Sequence, residues 1–420
     1  MFRYILSTSI LFILTFSISF SQTGHIAIEW NEQVLEAIRN DFARPTVHAR
    51  NLMHSSAIMY DCWAAYDTTS SEHYFLGNTI GSFTSVFDFE NFEPNIPSNS
   101  IDKIIAQEVS MSYGVYRLIK HRYMSSPQWS STLLNINAQM ASQGLDTLIV
   151  STDYLNDGPA ALGNYLAEQI IAFGMQDGAN EANDYASTCY TSINPNILPE
   201  EPGTSGIIDP NAWQAIELSI LIDQSGEVIT EVPPFLGPEW GEVQGFALRD
   251  SNLTHVVVDS CTFKTYYNPG PPVYLDTNVA SSFDESLYKW GFGMVIKWSE
   301  HLDPSDGVMW DISPGSLKYD GETPPVEEFA NFYDWERGGL VSWHNEDGSF
   351  GGNGHEVNPF TGQPYEPNIV PRGDYGRVIA EFWADGPDSE TPPGHWFTLL
   401  NEFILIPQSG EHRWRGQGPI

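Results

Sequence analysis

Apolar residues at helical spacing predict a chain built mainly from α-helices. They recur every three or four positions over residues 30–42, which is typical of an amphipathic helix with one face on a core. Arg44-Pro45 then predicts a break, because proline cannot continue the backbone hydrogen bonding of a helix. Residues 46–67 are apolar or small almost all round. This pattern predicts a central buried helix.

Small residues on this second helix predict close approach of its neighbours, and they are Ala49, Ser56, Ala57, Ala64 and Ala65. A loop is expected at 68–100. Further helices are expected at 101–119, 129–140, 159–173, 287–298, 326–335, 375–383 and 395–405. Asp157-Gly158-Pro159 predicts an N-cap with proline in the first turn, and Ser282 with Glu285 predicts a capping box.

Between residues 185 and 272 the pattern changes to short β-branched runs separated by proline and glycine, at 219–222, 228–232 and 255–258. We therefore predict a mainly α protein, a multi-helix bundle with an irregular insertion that contains short strands. The expected division is an N-terminal helical part at 22–184, the insertion at 185–275 and a second helical part at 276–420.

The first 21 residues have the layout of a cleavable signal peptide. Arg3 precedes an uncharged run at 4–20, and Ser19-Phe20-Ser21 supplies small residues at the cleavage point. A permanent membrane anchor is the alternative, but serine and threonine dilute the run, which is marginal for a span of about 20 residues. We expect an exported protein, periplasmic or extracellular, with no membrane association after cleavage.

The mature chain is strongly acidic. The sequence contains 54 Asp and Glu against 18 Lys and Arg, for a net charge of −36. Such a chain repels nucleic acid and anionic membranes, so we expect neither as a partner. Its three cysteines, Cys62, Cys189 and Cys261, are too few for a disulfide framework and fit no zinc pattern. At most one bridge can form.

Four polar residues on the second helix, His48, Arg50, His54 and Asp61, are the first candidates for function. The alternative is that they satisfy one another or a loop backbone. We expect the alternative, because buried polar groups are nearly always hydrogen-bonded.

Two acidic groups could bind a hard cation. The first contains Asp303, Asp306 and Asp311, and the second contains Glu346 and Asp347 beside His344 and His355. Neither matches the EF-hand pattern, and chance clusters are expected in so acidic a chain, which is the interpretation we favour. The glycine-rich run at 348–354 lacks the flanks of a phosphate loop, so we expect a surface turn.

Pro393-Gly394-His395 opens a predicted helix, where backbone N–H groups favour an anion. We expect instead that His395 caps or packs that helix. The sequence contains no Gly-x-Ser-x-Gly elbow, phosphate-binding loop, dinucleotide fingerprint or His-Glu-x-x-His pattern.

Four separated blocks together resemble secreted bacterial proteins related to vanadium-dependent haloperoxidases. They occur in the order found in that family, at residues 30–67, 235–241 (Phe-Leu-Gly-Pro-Glu-Trp-Gly), 358–365 (Asn-Pro-Phe-Thr-Gly-Gln-Pro-Tyr) and 382–396. The resemblance implies the helical fold shared with type 2 phosphatidic acid phosphatases. It also implies a vanadate cofactor held by a lysine, arginines and a histidine, which activates peroxide to oxidise halide.

The vanadate-binding motifs of the family are not found in this sequence. Arg44-Pro45 cannot be the Lys-to-Arg-Pro block, since the first lysine is Lys103, and Pro-Ser-Gly-His and Ser-Arg are absent. No catalytic, cofactor-binding or metal-binding residue is therefore assigned, and residues 411–420 resemble the approach to the helix that carries the lysine.

We accordingly expect the N-terminal scaffold of a haloperoxidase-like protein, ending before the catalytic region and inactive as this chain. Halide and peroxide would be its substrates only with that region supplied. An acid phosphatase-like hydrolase of the same superfamily and a non-catalytic exported binding protein are the alternatives.

Overall fold

The computed structural model describes residues 26–199 (except 68, 70 and 71) and residues 206–275 (except 231, 249, 259, 269 and 271). It also describes residues 280, 286–316, 334, 354–384 (except 356), 386 and 388–405. The expected signal peptide, the capping box at Ser282 and Glu285, the helix at 326–335 apart from Asp334, and the final residues 411–420 lie outside the described residues. So do His344, Glu346, Asp347 and all of the glycine-rich run except Gly354.

The described residues form a mainly α fold. The helices are α1 Ile26–Arg39, α2 Pro45–Ala64, α3 Phe89–Phe92, α4 Ser100–Arg122, α5 Trp129–Ser142, α6 Gly158–Gly174, α7 Leu287–Glu300, α8 Arg372–Trp383 and α9 Thr391–Leu405. Each helix predicted within the described residues is confirmed, with ends that shift by a few residues. No helix in this part of the chain has the length and apolar character that a membrane span requires.

The strands form short antiparallel pairs. They are β1 Thr79–Ile80 with β2 Phe83–Thr84, β3 Leu221–Ile222 with β4 Val228–Ile229, β5 Thr254–Val258 with β6 Cys261–Thr265, and β7 Met309–Asp311 with β8 Ile369–Pro371. The three β-branched runs predicted in the insertion are confirmed as β3, β4 and β5. The β7–β8 pair was not predicted, because its two strands are far apart in sequence and only three residues long.

Helices α2, α4 and α6 form the centre of the core, and two glycines set their spacing. A Cβ atom on Gly163 of α6 would collide with the carbonyl oxygen of Ser110 and lie 2.9 Å from the backbone nitrogen of Gly114. A Cβ atom on Gly114 would collide with Ile58 of α2. The backbones therefore approach as closely as glycine allows.

Three of the five small residues predicted to allow close approach are buried, and two are not. Ala57, Ala64 and Ala65 of the second helical segment are buried, but Ala49 is exposed and Ser56 is only partly buried. The tightest contacts use Gly114 and Gly163, whose partners are fixed by the topology and not by any local pattern.

The proline prediction at the start of α6 holds, but the capping prediction does not. Pro159 occupies the first turn and Asp157 is the N-cap residue, yet its carboxylate makes no capping hydrogen bond. It accepts a hydrogen bond from the hydroxyl of Ser151 instead. The Asp157 carboxylate is therefore bonded to the preceding loop and not to the backbone N–H groups of α6.

Helix α9 of the second helical part packs against α1 and α2 of the first. Asn401 of α9 donates to Glu32 Oε1 at 2.9 Å and accepts from Asn31 at 3.4 Å. This contact brings the turn before α9 against the side of α1.

Replacing Gly163 with alanine should lower the free energy of unfolding by about 1–3 kcal/mol or more, because the new methyl group meets backbone atoms that cannot rotate away. Urea unfolding measures this. Gly291→Ala is the matched control, since Gly291 also lies inside a helix and has open space around it. That variant should be neutral or more stable by about 0.5–1 kcal/mol. Equal effects of the two changes would contradict the packing argument.

Candidate functional site: a buried ionic network on helix α2

The four candidate residues of α2 are all buried, and Arg50 lies at the centre of an ionic network. Its Nε donates to Asp177 Oδ2 at 2.6 Å and its Nη2 donates to Glu181 Oε2 at 2.8 Å. The same Nη2 donates to the carbonyl oxygen of Gly174 at 2.8 Å. One side chain of α2 therefore holds the C-terminal end of α6 and the loop that follows it.

Arg122 enters the same network from the last turn of α4. Its Nη1 lies 3.0 Å from Glu181 Oε2 and donates to Asn51 Oδ1 at 3.2 Å. Burial would raise the pKa of Glu181, but the hydrogen bond from His121 and the charges of Arg122 and Arg50 outweigh burial and lower the pKa to about 2. Glu181 is thus a carboxylate that joins two guanidinium groups.

His54 is the neutral member of the network. Burial, followed by the charges of Arg122 and Arg50, holds the pKa of its imidazole well below the usual value. Its Nδ1 accepts a hydrogen bond from Arg122 Nη2 at 3.2 Å, which leaves the ring proton on Nε2. Nε2 lies 3.8 Å from Asp177 Oδ2, too far for a hydrogen bond.

A second group of charges lies at the start of α2. His48 Nε2 is 3.1 Å from Asp41 Oδ2, and Ser126 Oγ donates to Asp41 Oδ1 at 2.8 Å. Burial would raise the pKa of Asp41, but the hydrogen bond with His48 and the charge of Arg44 leave it lowered. Arg44 also donates to Asp184 at 2.8 Å, so it links this group to the loop after α6.

The loop that carries these carboxylates has an unusual backbone. Asn180, Asp184 and Tyr185 have φ values of 60°, 51° and 60°, in the left-handed region that side chains other than glycine seldom adopt. Each such residue costs on the order of 1 kcal/mol or more. The ion pairs with Arg44, Arg50 and Arg122 hold the loop in this conformation.

Gly174, at the end of α6, leaves room for both central arginines. A Cβ atom there would lie 2.6 Å from Arg50 Nη2 and would collide with Arg122 Nη2. A larger residue at position 174 would require both guanidinium groups to shift from their present partners.

Asp61, further along α2, is hydrogen-bonded to the backbone of a loop. Its carboxylate accepts hydrogen bonds from the backbone N–H groups of Tyr74, Phe75 and Leu76 at 2.7, 2.8 and 2.6 Å. Burial raises its pKa, and these three bonds partly oppose the rise. The prediction that the polar residues of this helix satisfy one another or a loop backbone is confirmed at Asp61, whereas Arg50 and His54 are hydrogen-bonded by groups of α4, the end of α6 and the side chains of the loop after α6.

The acidic group Asp303, Asp306 and Asp311 is likewise engaged within the protein. Asp303 accepts from the backbone N–H of Ser305, Asp306 pairs with Arg372, and Asp311 accepts from Ser313, Ser316 and Asn368. The described residues contain no group of three His, Cys, Asp or Glu side chains arranged to hold a metal. Of the second acidic group only His355 is described, and its backbone N–H bonds to Pro314.

His395 packs within α9 and does not cap it, because the helix begins four residues earlier. Its Nδ1 lies 2.7 Å from Glu390 Oε1, and Phe382 and Trp383 pack against its ring. The sequence did not predict Glu390 as the partner of His395. It also did not predict Arg122, Asp177 and Glu181 as members of the α2 network. No local signal distinguishes these residues from the many other charged residues of the chain.

No protein-family model and no curated protein matches this sequence. Among solved structures, the chain is similar to holo-type bacterial vanadium-dependent chloroperoxidase, with 16% identity over 51% of this chain and 44% of that chain and a TM-score of 0.35. It is also similar to the apo-type enzyme, with 14% identity over 64% of this chain and 50% of that chain and a TM-score of 0.38. The chain spans about half the length of these structures.

The chemistry available to the ionic network follows from its pairing. Arg50 and Arg122 are compensated by Asp177 and Glu181, and the side chain of Asp177 is fully buried. Binding an external anion here would require displacing a carboxylate that is already desolvated and hydrogen-bonded. The arrangement favours a structural role over substrate binding.

Replacing Arg50 with methionine should destabilise the protein by about 3–5 kcal/mol, because Asp177 would remain buried without its cation. Thermal or urea unfolding measures the loss. Lys264→Met is the control, since the Lys264–Glu242 pair is partly exposed and such pairs contribute about 0–1 kcal/mol. If Arg50→Met lowers the free energy of unfolding no more than Lys264→Met does, the buried pair contributes little to stability.

The lowered pKa of Glu181 predicts a pH-dependent contribution to stability. Because the folded pKa is about 2 and the ordinary value is 4.5, the contribution is complete above about pH 4.5 and disappears as the pH falls toward 2. Glu181→Gln should therefore cost roughly 2–3 kcal/mol at pH 6 and progressively less toward pH 3. Urea midpoints at several pH values test this, with the exposed Glu402→Gln as control. A pH-independent difference between wild type and Glu181→Gln would contradict the assignment.

Proposed function

We propose that the described helices are the structural scaffold of an exported vanadium haloperoxidase-like protein and contribute no catalytic group themselves. The family part of the proposal rests on the four sequence blocks, at 30–67, 235–241, 358–365 and 382–396. The structural part rests on one observation, which is that the cations of α2 and the end of α4 are paired with the protein's own carboxylates.

Haloperoxidase chemistry needs cations that are free to hold an oxyanion. A vanadate or phosphate group is stabilised by several fixed donors directed at its oxygens. In this chain the donors Arg50 and Arg122 are directed at Asp177 and Glu181. The N–H groups that would bind the oxygens of a ligand are already bonded to the two carboxylates. These arginines therefore stabilise the helix bundle.

The single disulfide supports export. Cys189 and Cys261 are bridged, with their Cα atoms 5.9 Å apart, and Cys62 is buried and reduced. Structural disulfides persist in oxidising compartments and are rare in the cytosol. The bridge joins the segment after the ionic network to strand β6, and Glu239 accepts hydrogen bonds from Thr188, Cys189 and Tyr190 beside it.

Incubating the purified chain with vanadate, hydrogen peroxide and bromide tests the proposal. We expect no halogenation of a phenol dye above the vanadate-free blank, and no saturable broadening of the vanadate resonance in ⁵¹V NMR. A complete vanadium haloperoxidase in the same buffer is the positive control. Vanadate-dependent halogenation by this chain, or vanadate binding lost in Arg50→Met, would overturn the scaffold role.

A further inference from the structure

The turn before α9 holds a carboxylate that is anchored from two sides. Arg39 Nε of α1 donates to Glu390 Oε2 at 3.2 Å, and Thr398 Oγ1 donates to Glu390 Oε1 at 3.1 Å. Burial would raise the pKa of Glu390, but the hydrogen bond with His395 and the charge of Arg39 leave it lowered. Glu390 is therefore an ionised acceptor in a fixed position.

His395 is oriented by this carboxylate. Since Glu390 is ionised, the proton of the 2.7 Å contact lies on Nδ1 of His395, and in the neutral imidazole Nε2 on the opposite side of the ring has a lone pair. Nε2 is buried and has no hydrogen-bond partner among the described residues. A carboxylate that orients an imidazole and raises the basicity of its far nitrogen is a common arrangement in binding and catalytic sites.

The groups that cover the imidazole are aromatic. The Phe382 ring centroid lies 5.3 Å from that of His395, at an interplanar angle of 34°, and the Trp383 ring lies 5.4 Å away at 62°. Trp383 also packs against Trp396 at 5.3 Å. These contacts form an aromatic patch around one hydrogen-bond acceptor.

The patch opens to solvent on one side. Phe382 is 42% exposed and Trp396 is 65% exposed, and Phe382 lies one residue before the end of α8. A side chain that is half exposed at a helix end can rotate at small cost, so the Phe382 ring is the group that a ligand would displace. An incoming ring would restore the lost stacking.

The backbone of this turn is strained as well. Asp388 and Thr391 have φ values of 63° and 62°, which for the β-branched Thr391 is a rare conformation. Gly394 allows the Glu390 side chain to pass, because a Cβ atom at residue 394 would lie 2.8 Å from Glu390 Cβ and Cγ. The turn thus holds Glu390 and His395 in one fixed relation.

We propose that His395, oriented by Glu390 and covered by Phe382, is a binding site for a neutral aromatic compound that carries a hydroxyl group. The hydroxyl donates to Nε2, and the ring of the ligand takes the place of the Phe382 ring beside the imidazole and Trp383. An anion is disfavoured, because Nε2 is an acceptor and the ionised Glu390 lies on the other side of the imidazole. The site is independent of the scaffold role.

Two probes that share a fluorinated ring test the site, one with a hydroxyl donor and one with a methoxy group in its place. ¹⁹F NMR titration of the purified protein compares 4-fluorophenol with 4-fluoroanisole, which has the same ring without the O–H. We expect saturable binding of the phenol and affinity for the anisole weaker by about tenfold or more, since the buried acceptor then stays unsatisfied. Equal affinities in the wild-type protein would overturn the proposal without any variant.

Three variants locate the site. His395→Phe keeps the ring packing and removes the acceptor. The ratio of the affinity for the phenol to that for the anisole should therefore fall to about one. Phe382→Ala opens the slot and should tighten phenol binding. Phe403→Ala removes another exposed ring, on α9, and should change neither affinity. Each variant is first shown to melt cooperatively. A preference that persists in a folded His395→Phe protein would place the binding elsewhere.

Discussion

The buried pairing of Arg50 with Asp177 is the interaction on which the N-terminal bundle depends. It fixes α2 to the residues that follow α6, and through Glu181 it also includes Arg122 of α4. The three helices in closest contact are therefore linked twice, by glycine contacts along their length and by charges at one end. Removing two guanidinium groups and two carboxylates from water is costly, and their mutual ion pairs and hydrogen bonds offset that cost.

Much of the helical architecture follows from local pattern. The break at Arg44-Pro45, the buried character of α2 and the start of α5 at Trp129 are properties of short stretches of sequence. The packing contacts are not. Gly163 is indispensable because Ser110 and Gly114 of another helix lie against it, and nothing within α6 itself marks that position.

The partners of the candidate residues were beyond prediction for a similar reason. Asp177 and Glu181 are separated from Arg50 by more than 120 residues, and they are two acidic residues among 54. What could be predicted was the physical constraint that a buried Arg50 must have acceptors. Asp61 shows the same limit, because its three donors lie in a loop with no regular pattern.

The two clusters of ionisable groups differ in how their carboxylates are used. In the α2 network the carboxylates are paired with the cations, and Arg50 Nη1, Arg122 Nε and His54 Nε2 are buried without a partner among the described residues. At the turn before α9 the carboxylate is used to orient His395, and the far nitrogen of the imidazole is left without a partner among the described residues. In the first arrangement the carboxylates compensate two guanidinium groups, and in the second the carboxylate fixes the orientation of an imidazole.

A double-mutant cycle on Arg50 and Asp177 tests the structural role of the network most directly. Free energies of unfolding are measured for Arg50→Met, Asp177→Leu and the double variant. If the pair is a buried structural ion pair, the double variant leaves no unpaired charge between these positions and should be about as stable as either single variant, or more stable. Losses that simply add would contradict the account, because they would mean that the two side chains stabilise the protein independently.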